Sequence, residues 1–220
     1  MPRPLLYIGN RNYSSWSLRA WLGLRFMDFD FDVERLPLDT PEFRARIGSI
    51  SAAGRVPVLK DGDCVVWDSL AICEYGAERA ARGGWPTDEI ARTHARCAVA
   101  EMHSGFGALR NALPMNIRAR RRVVMDAAVE RDIARMLALW DEALTRYGGG
   151  AGWLYGERSI ADAFFAPVLL RFVTYDVPVS DRCRPWMERL LGDADLAEWC
   201  AEALKETEIV EADEAGDPVF

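Results

Sequence analysis

The hydrophobic period of the chain changes once, at "ARGGWP" (residues 81–86), where paired glycines and a proline punctuate the pattern. Before this stretch, apolar residues recur both at the period of two that suits strands and at the three-and-four spacing of helices. After it only the helical spacing returns. A chain with that switch folds as two units of different class. In the first, "PLLYIG" is a short apolar strand, Ala20, Trp21, Leu24 and Met27 make a helical stripe within 16–27, and "FDVERLPL" is a second strand. Thr40 opens a short helix, with Pro41 suited to its first position. "VPVLKDGDCVVW" adds two strands joined at Asp61-Gly62, a hairpin signal in which both central residues need positive φ, and "DSLAICEYGAERAA" is a third helix. The crossover helix implies parallel pairing in the first half, and the tight turn antiparallel pairing in the second. The expected order is βαβ then ββα around a four-stranded mixed sheet.

Beyond the break, helices are expected over 87–112, 121–146, 159–175 and 183–204. The last stretch, "KETEIVEADEAGDPVF", is acidic and poor in periodic apolar residues, and so reads as a loose tail. The fold class is α/β plus all-α. It divides into an N-terminal domain over 1–82, an all-helical domain over 87–205 and an acidic tail over 206–220.

Composition narrows the partners. Half of the 220 residues are hydrophobic, enough for a real core, yet the longest uncharged apolar run, Ala163 to Leu170, is far below the roughly 20 residues of a membrane span. The N-terminus reaches polar residues after about five apolar positions, short of the roughly 7–15 of a secretory segment. A cytoplasmic protein without membrane partners is expected. Cysteines 64, 73, 97, 183 and 200 are odd in number and scattered, which argues against a disulfide framework or a zinc ribbon. Net charge is −7, and the one basic cluster, "RARRR" at Arg118 to Arg122, has no interleaved aromatics to stack bases. It reads as a solvated helix start, and nucleic acid is not an expected partner. His94, Cys97 and Glu101 share a helical face but lack a fourth ligand or a recognised spacing, so no metal is expected.

The chemistry-bearing stretch is "NYSSWSLRAW", which sets Ser14, Ser15 and Ser17 where a strand hands over to a helix. One serine suffices for a cap. Another is free to donate to an anion at the positive end of the helix. "SSWSLRAWLGL" from Ser14 resembles the zeta-class S-S-C-S-W-R-V-R-I-A-L pattern of glutathione transferases, and tau-class enzymes have a similar serine start. "GRVPVL" at Gly54 is similar to the family's K/Q-V-P-x-L, and "WDSLAICEY" at Trp67 to its E/Q-S-x-A-I-x-E-Y. "SIADAFFAPV" at Ser159 resembles its S/T-x-x-D capping box, with Asp162 reaching back to the cap amide. The four motifs run in the family's order through both domains.

That resemblance implies a thioredoxin-like N-terminal domain, glutathione as co-substrate, an electrophile as second substrate and a homodimer paired through the third helix of one subunit and the fourth of the other. A free thiol has a pKa near 8.5, so a transferase must stabilise the thiolate of glutathione. The family alignment assigns this to Ser14, with Ser15 as second choice. It further implies a cis peptide at Val56-Pro57 with the Val56 backbone pairing to glutathione, Arg55 on the glycyl carboxylate, Ser69 on the γ-glutamyl carboxylate and Asp68 on the adjacent ammonium. Met102, Phe106 and Met115 would line the second-substrate site. Two other functions are open: a zeta-like cis–trans isomerase of the maleylacetoacetate type, disfavoured by Trp16 in place of the motif's cysteine, and a non-catalytic binding module of the same fold.

Overall fold

The computed structural model describes residues 3–219. Strand β1 (Leu5–Ile8) leads into helix α1 (Ser15–Phe26), strand β2 (Asp32–Arg35) and helix α2 (Pro41–Ile50), and then into strands β3 (Val58–Asp61) and β4 (Cys64–Trp67) and helix α3 (Ser69–Ala77). The sheet order is β2-β1-β3-β4, with β1 parallel to β2 and antiparallel to β3, and β3 antiparallel to β4. This is the four-stranded mixed sheet that the mixed periods imply, in the thioredoxin-like arrangement that the resemblance implies. Thr40 caps α2 by accepting from Phe43 N at 3.1 Å, with Pro41 in the first turn. The hairpin differs in one detail. Asp61 pairs with Cys64, so the central residues are Gly62 and Asp63, and only Gly62 has positive φ (57°), the requirement of a turn with glycine at its first central position.

The rest is helical: α4 (Glu89–Ser104), α5 (Gly107–Ala112), α6 (Ala127–Tyr147), α7 (Ile160–Thr174), α8 (Arg184–Leu191) and α9 (Ala194–Ala203). Two expected helices are broken. The first stops at Gly105 and turns through Phe106, which is left-handed with φ 58°. The second stops at Gly192, and Asp193 recaps the chain by accepting from Asp195 N at 3.0 Å and Leu196 N at 3.4 Å. Helix α7 is the core of the molecule, with every residue but Val173 buried. Both α4 and α1 pack on it, and α1 also packs on α3. Gly23 makes that second contact possible, since a Cβ there would stand 2.5 Å from Cys73 Sγ. Asp162 holds the start of α7 from inside: it accepts from Ser159 N at 2.9 Å, Leu154 N at 3.2 Å and Trp186 Nε1 at 2.9 Å. Burial nevertheless pushes its carboxyl up to about 6. Arg158 just before it stacks on Phe26 and pairs with Asp193 and Asp195, tying α7 to α9.

The C-terminal segment is not a loose tail. Glu206 accepts from Arg11 N at 2.8 Å and Asn12 N at 3.1 Å, and Val210 is buried. Glu214 accepts from Tyr13 Oη at 2.5 Å and Asn116 Nδ2 at 2.9 Å, and pairs with Arg121. Strand β6 (Asp217–Pro218) pairs antiparallel with β5 (Arg121–Arg122). The arginine run is therefore not a solvated helix start. Arg118 donates to the carbonyls of Glu206 and Glu208, the next arginines hold the strap, and α6 begins six residues later than expected.

Candidate active site

The mouth of α1 opens onto two adjoining clefts of about 360 and 430 Å³ that share Trp16, Arg55 and Val56. The three serines do different work. Ser14 caps α1: its Oγ accepts from Ser17 N at 3.3 Å and donates to Ser17 Oγ at 2.8 Å. Ser17 Oγ also accepts from Gly9 N at 3.0 Å, which fastens the end of β1 to the helix. Ser15, the first helical residue, has a single side-chain partner among the described residues: its Oγ accepts from Arg171 Nη2 at 3.2 Å. Its own proton is left to donate. Both Ser14 and Ser15 line the larger cleft.

The smaller cleft is the N-terminal domain's own. The Val56–Pro57 peptide is cis, and both residues face the cleft. Arg55 stands exposed at the rim, where both clefts meet. Asp68 caps α3 with φ 79°, its Oδ1 accepting from Leu70 N at 2.8 Å and Ala71 N at 3.3 Å. Its Oδ2 lies 3.1 Å from His103 Nε2 of α4, so the helical domain reaches across to hold this cap. Ser69 is 1% exposed, sits at the N-terminus of α3, and its Oγ has no hydrogen-bond partner among the described residues. A buried hydroxyl is normally satisfied, and one left open beside a positive helix end suits an anion.

The larger cleft takes its far wall from the helical domain: Arg110 and Asn111 of α5, Arg171 of α7 and Asp213 of the C-terminal strap. Arg171 is buried and donates to the carbonyls of Arg110 and Leu113 as well as to Ser15. Burial draws its pKa down to about 10. Trp16 separates the clefts, with the guanidinium of Arg19 4.5 Å and that of Arg110 5.2 Å from its ring. The expected second-substrate residues are elsewhere. Met102, Phe106 and Met115 are buried in the core and line neither cleft, because the α4–α5 break turns these apolar side chains inward. Nor do His94, Cys97 and Glu101 converge. His94 bonds to Tyr155 at 2.8 Å, whereas Glu101 pairs with Arg135 and Cys97 is exposed.

The N-terminal domain of the glutathione S-transferase family matches residues 13–79, and its C-terminal domain matches residues 123–202. The chain belongs to the glutathione S-transferase family. Its fold is similar to that of a glutathione transferase homologue from Burkholderia gl BGR1 with bound glutathione, at 23% identity and TM-score 0.71, covering 92% of this chain and 98% of that one. It is also similar to glutathione S-transferase unclassified 2 from Bombyx mori, at 19% identity and TM-score 0.74, covering 92% and 94%. A probable maleylacetoacetate isomerase from Caenorhabditis elegans is 32% identical over 110 residues, and the match spans half of each chain.

Proposed function

We propose that the chain is a glutathione transferase in which Ser15, rather than the cap serine Ser14, holds the thiolate. The observation that carries this is the single partner of Ser15 Oγ. Because that partner, Arg171, is a donor, the hydroxyl proton of Ser15 is directed at a third group in the cleft. The hydroxyl of Ser14 is engaged twice with Ser17. A sulfur beside Ser15 would meet a charge-assisted donor, the positive end of α1 and the Arg171 cation behind it. Glutathione fits the smaller cleft with its γ-glutamyl carboxylate on Ser69, its cysteinyl backbone along Val56 and its glycyl carboxylate toward Arg55. Asp68, already bonded to His103, would face the ammonium. The thiolate lone pair then forms a bond to the electrophilic carbon, and the leaving group departs with the broken pair.

The test is thiolate absorbance of the bound complex against pH. Hydrogen bonds to charged groups are worth about 1.5–3 kcal/mol, so Ser15→Ala should raise the thiol pKa by about one to two units and slow conjugation of 1-chloro-2,4-dinitrobenzene roughly ten- to a hundredfold. Ser14→Ala should cost mainly helix stability, about 0.5–2 kcal/mol. If only Ser14→Ala moves the pKa, the roles are reversed. If neither does, the serine mechanism fails and a non-catalytic binding module gains. The half-chain match to a maleylacetoacetate isomerase favours a glutathione-dependent isomerase as second reading. Trp16 opposes it by filling the space where the zeta-class motif has cysteine. The homodimer belongs to the same proposal, through α3 of one subunit and α4 of the other, and a light-scattering mass of only 24.7 kDa at micromolar concentration would count against it.

A further inference from the structure

Three guanidinium groups gather behind Trp16 and Ser15 with no carboxylate bonded to any of them among the described residues. Arg19 is 0% exposed and donates only to the carbonyl of Phe164, at 3.1 Å, leaving Nη1 and Nη2 without partners. Arg110 donates to the carbonyl of His103 at 3.3 Å. Arg171 donates to two carbonyls and to Ser15, and its buried Nε has no partner. Burial lowers the pKa of all three. A buried guanidinium with open N–H donors is costly, so the arrangement calls for a hydrogen-bond acceptor, best an anionic one.

Three carboxylates offset part of that charge from a distance: Asp68 acts on Arg19, Asp132 on Arg110 and Asp213 on Arg171. None bonds to a guanidinium, since Asp132 is held by Leu109 N at 3.0 Å and Asp68 by the α3 cap and His103. Asp213 is the one carboxylate among the residues lining the larger cleft. The open donors of Arg19 and Arg171 are therefore unmet among the described residues. We propose that the substrate itself meets this cluster from the cleft: the electrophile is a small flat acid whose carboxylate is held by Arg110 and Arg171, against the ring of Trp16. The inference rests on the transferase reading and adds the substrate's chemical class. Guanidinium suits this role, as it binds carboxylates through two parallel N–H donors and tolerates stacking on an aromatic face. The far wall, made of Arg110, Asn111, Arg171 and Asp213, offers a neutral apolar electrophile little to bind.

The probes are 4-chloro-3-nitrobenzoate and 4-chloro-3-nitrobenzamide, of the same shape but different charge. In each, the thiolate attacks the carbon bearing chlorine, the S–C bond forms, and chloride leaves with the pair from the broken C–Cl bond. After kcat/KM is divided by the uncatalysed rate of each compound with glutathione, the wild type should favour the acid by about tenfold or more, the scale of one charge-assisted bond. Arg110→Gln should bring that ratio close to one, and Arg110→Lys should restore part of it. Equal binding readouts come from inert 3-nitrobenzoate and 3-nitrobenzamide added to the complex with S-methylglutathione. If S-methylglutathione binds and the amide is bound or turned over as well as the acid, the substrate class is wrong while the transferase reading stands. If S-methylglutathione does not bind, both fall. A full preference retained in folded Arg110→Gln would also overturn the assignment.

Discussion

The two walls of the cleft are built by opposite means. The N-terminal wall is made from local geometry: a cis peptide at Val56–Pro57, and a helix start at Ser69 with Asp68 as its cap. The far wall is made of side chains delivered by three segments, Arg110 from α5, Arg171 from α7 and Asp213 from the strap. The first offers a buried hydroxyl, a helix end and backbone groups. The second offers charged side chains, of which Arg171 also holds Ser15 at the start of α1. Fixed local geometry and delivered side chains are thus separated in the fold, and the separation can be tested one wall at a time.

The largest effect is expected at Ser69. Ser69→Ala removes a buried hydroxyl from a charged ligand and should weaken glutathione binding by about 1.5–3 kcal/mol, roughly ten- to a hundredfold. The acid-over-amide ratio should not move. Calorimetry checks the first statement and the paired benzoate assay the second. A ratio that shifts with Ser69 would mean that the walls are not independent.

The difference between the walls is also a difference in what sequence reveals. The mixed sheet, the α2 cap and the two-domain order follow from local periods and caps, and the sequence motifs bring Ser14, Ser15, Val56 and Ser69 to one region because each sits at an element's end. Arg110, Arg171 and Asp213 carry no local mark. Arginine on a helix looks the same whether it faces water or a cleft, and only the tertiary path of α5 and α7 decides which. The strap failed for a related reason. Its composition shows few apolar residues, but its order comes from Glu206 and Glu214 meeting backbone N–H groups and Arg121, and composition is silent about partners. Met102, Phe106 and Met115 were legible as apolar but not as inward-facing, because that depends on the break at Gly105-Phe106. The break at Gly192-Asp193, in contrast, had a stop and a cap in plain view.

A middle-sized effect should follow from releasing the strap. Glu214 bonds to Tyr13, Asn116 and Arg121, so Glu214→Ala should lower stability by about 1–3 kcal/mol. For a chain of this length that corresponds to a thermal midpoint about 3–10 °C lower. Glutathione affinity, set by the other wall, should stay within about twofold, a change too small to cost 0.5 kcal/mol. An unchanged midpoint would mean that the strap adds nothing to the cooperative fold, as its composition alone suggested.

The smallest effect is the most specific to the far wall, and it depends on pH. Burial pushes the Asp213 carboxyl up to about 6, Arg171 of α7 opposes the rise, and Asp39 from the loop before α2 adds to it. Tyr175, Arg110 and Arg19 are the other ionisable groups around Arg171. Because the folded-state value lies above the ordinary 3.8, the folded protein takes up this proton more readily than the unfolded chain. The group's contribution to stability therefore falls as pH rises from about 4 to 6 and is lowest above 6. In the cleft the same proton removes the charge of Asp213, the one carboxylate among the residues lining that cleft. Lowering pH from 7.5 to 5.5 should then tighten 3-nitrobenzoate binding to the S-methylglutathione complex about three- to fivefold, the effect of one charge about 8 Å away at an effective dielectric near 40. The ligand stays ionised throughout, since carboxylic acids titrate near 4. Asp213→Asn should bind more tightly at pH 7.5 and lose the slope, while 3-nitrobenzamide should show none in either protein. If Asp213→Asn keeps the wild-type slope, the strap does not set the charge of this wall, and the titrating group must be sought among the residues the two clefts share.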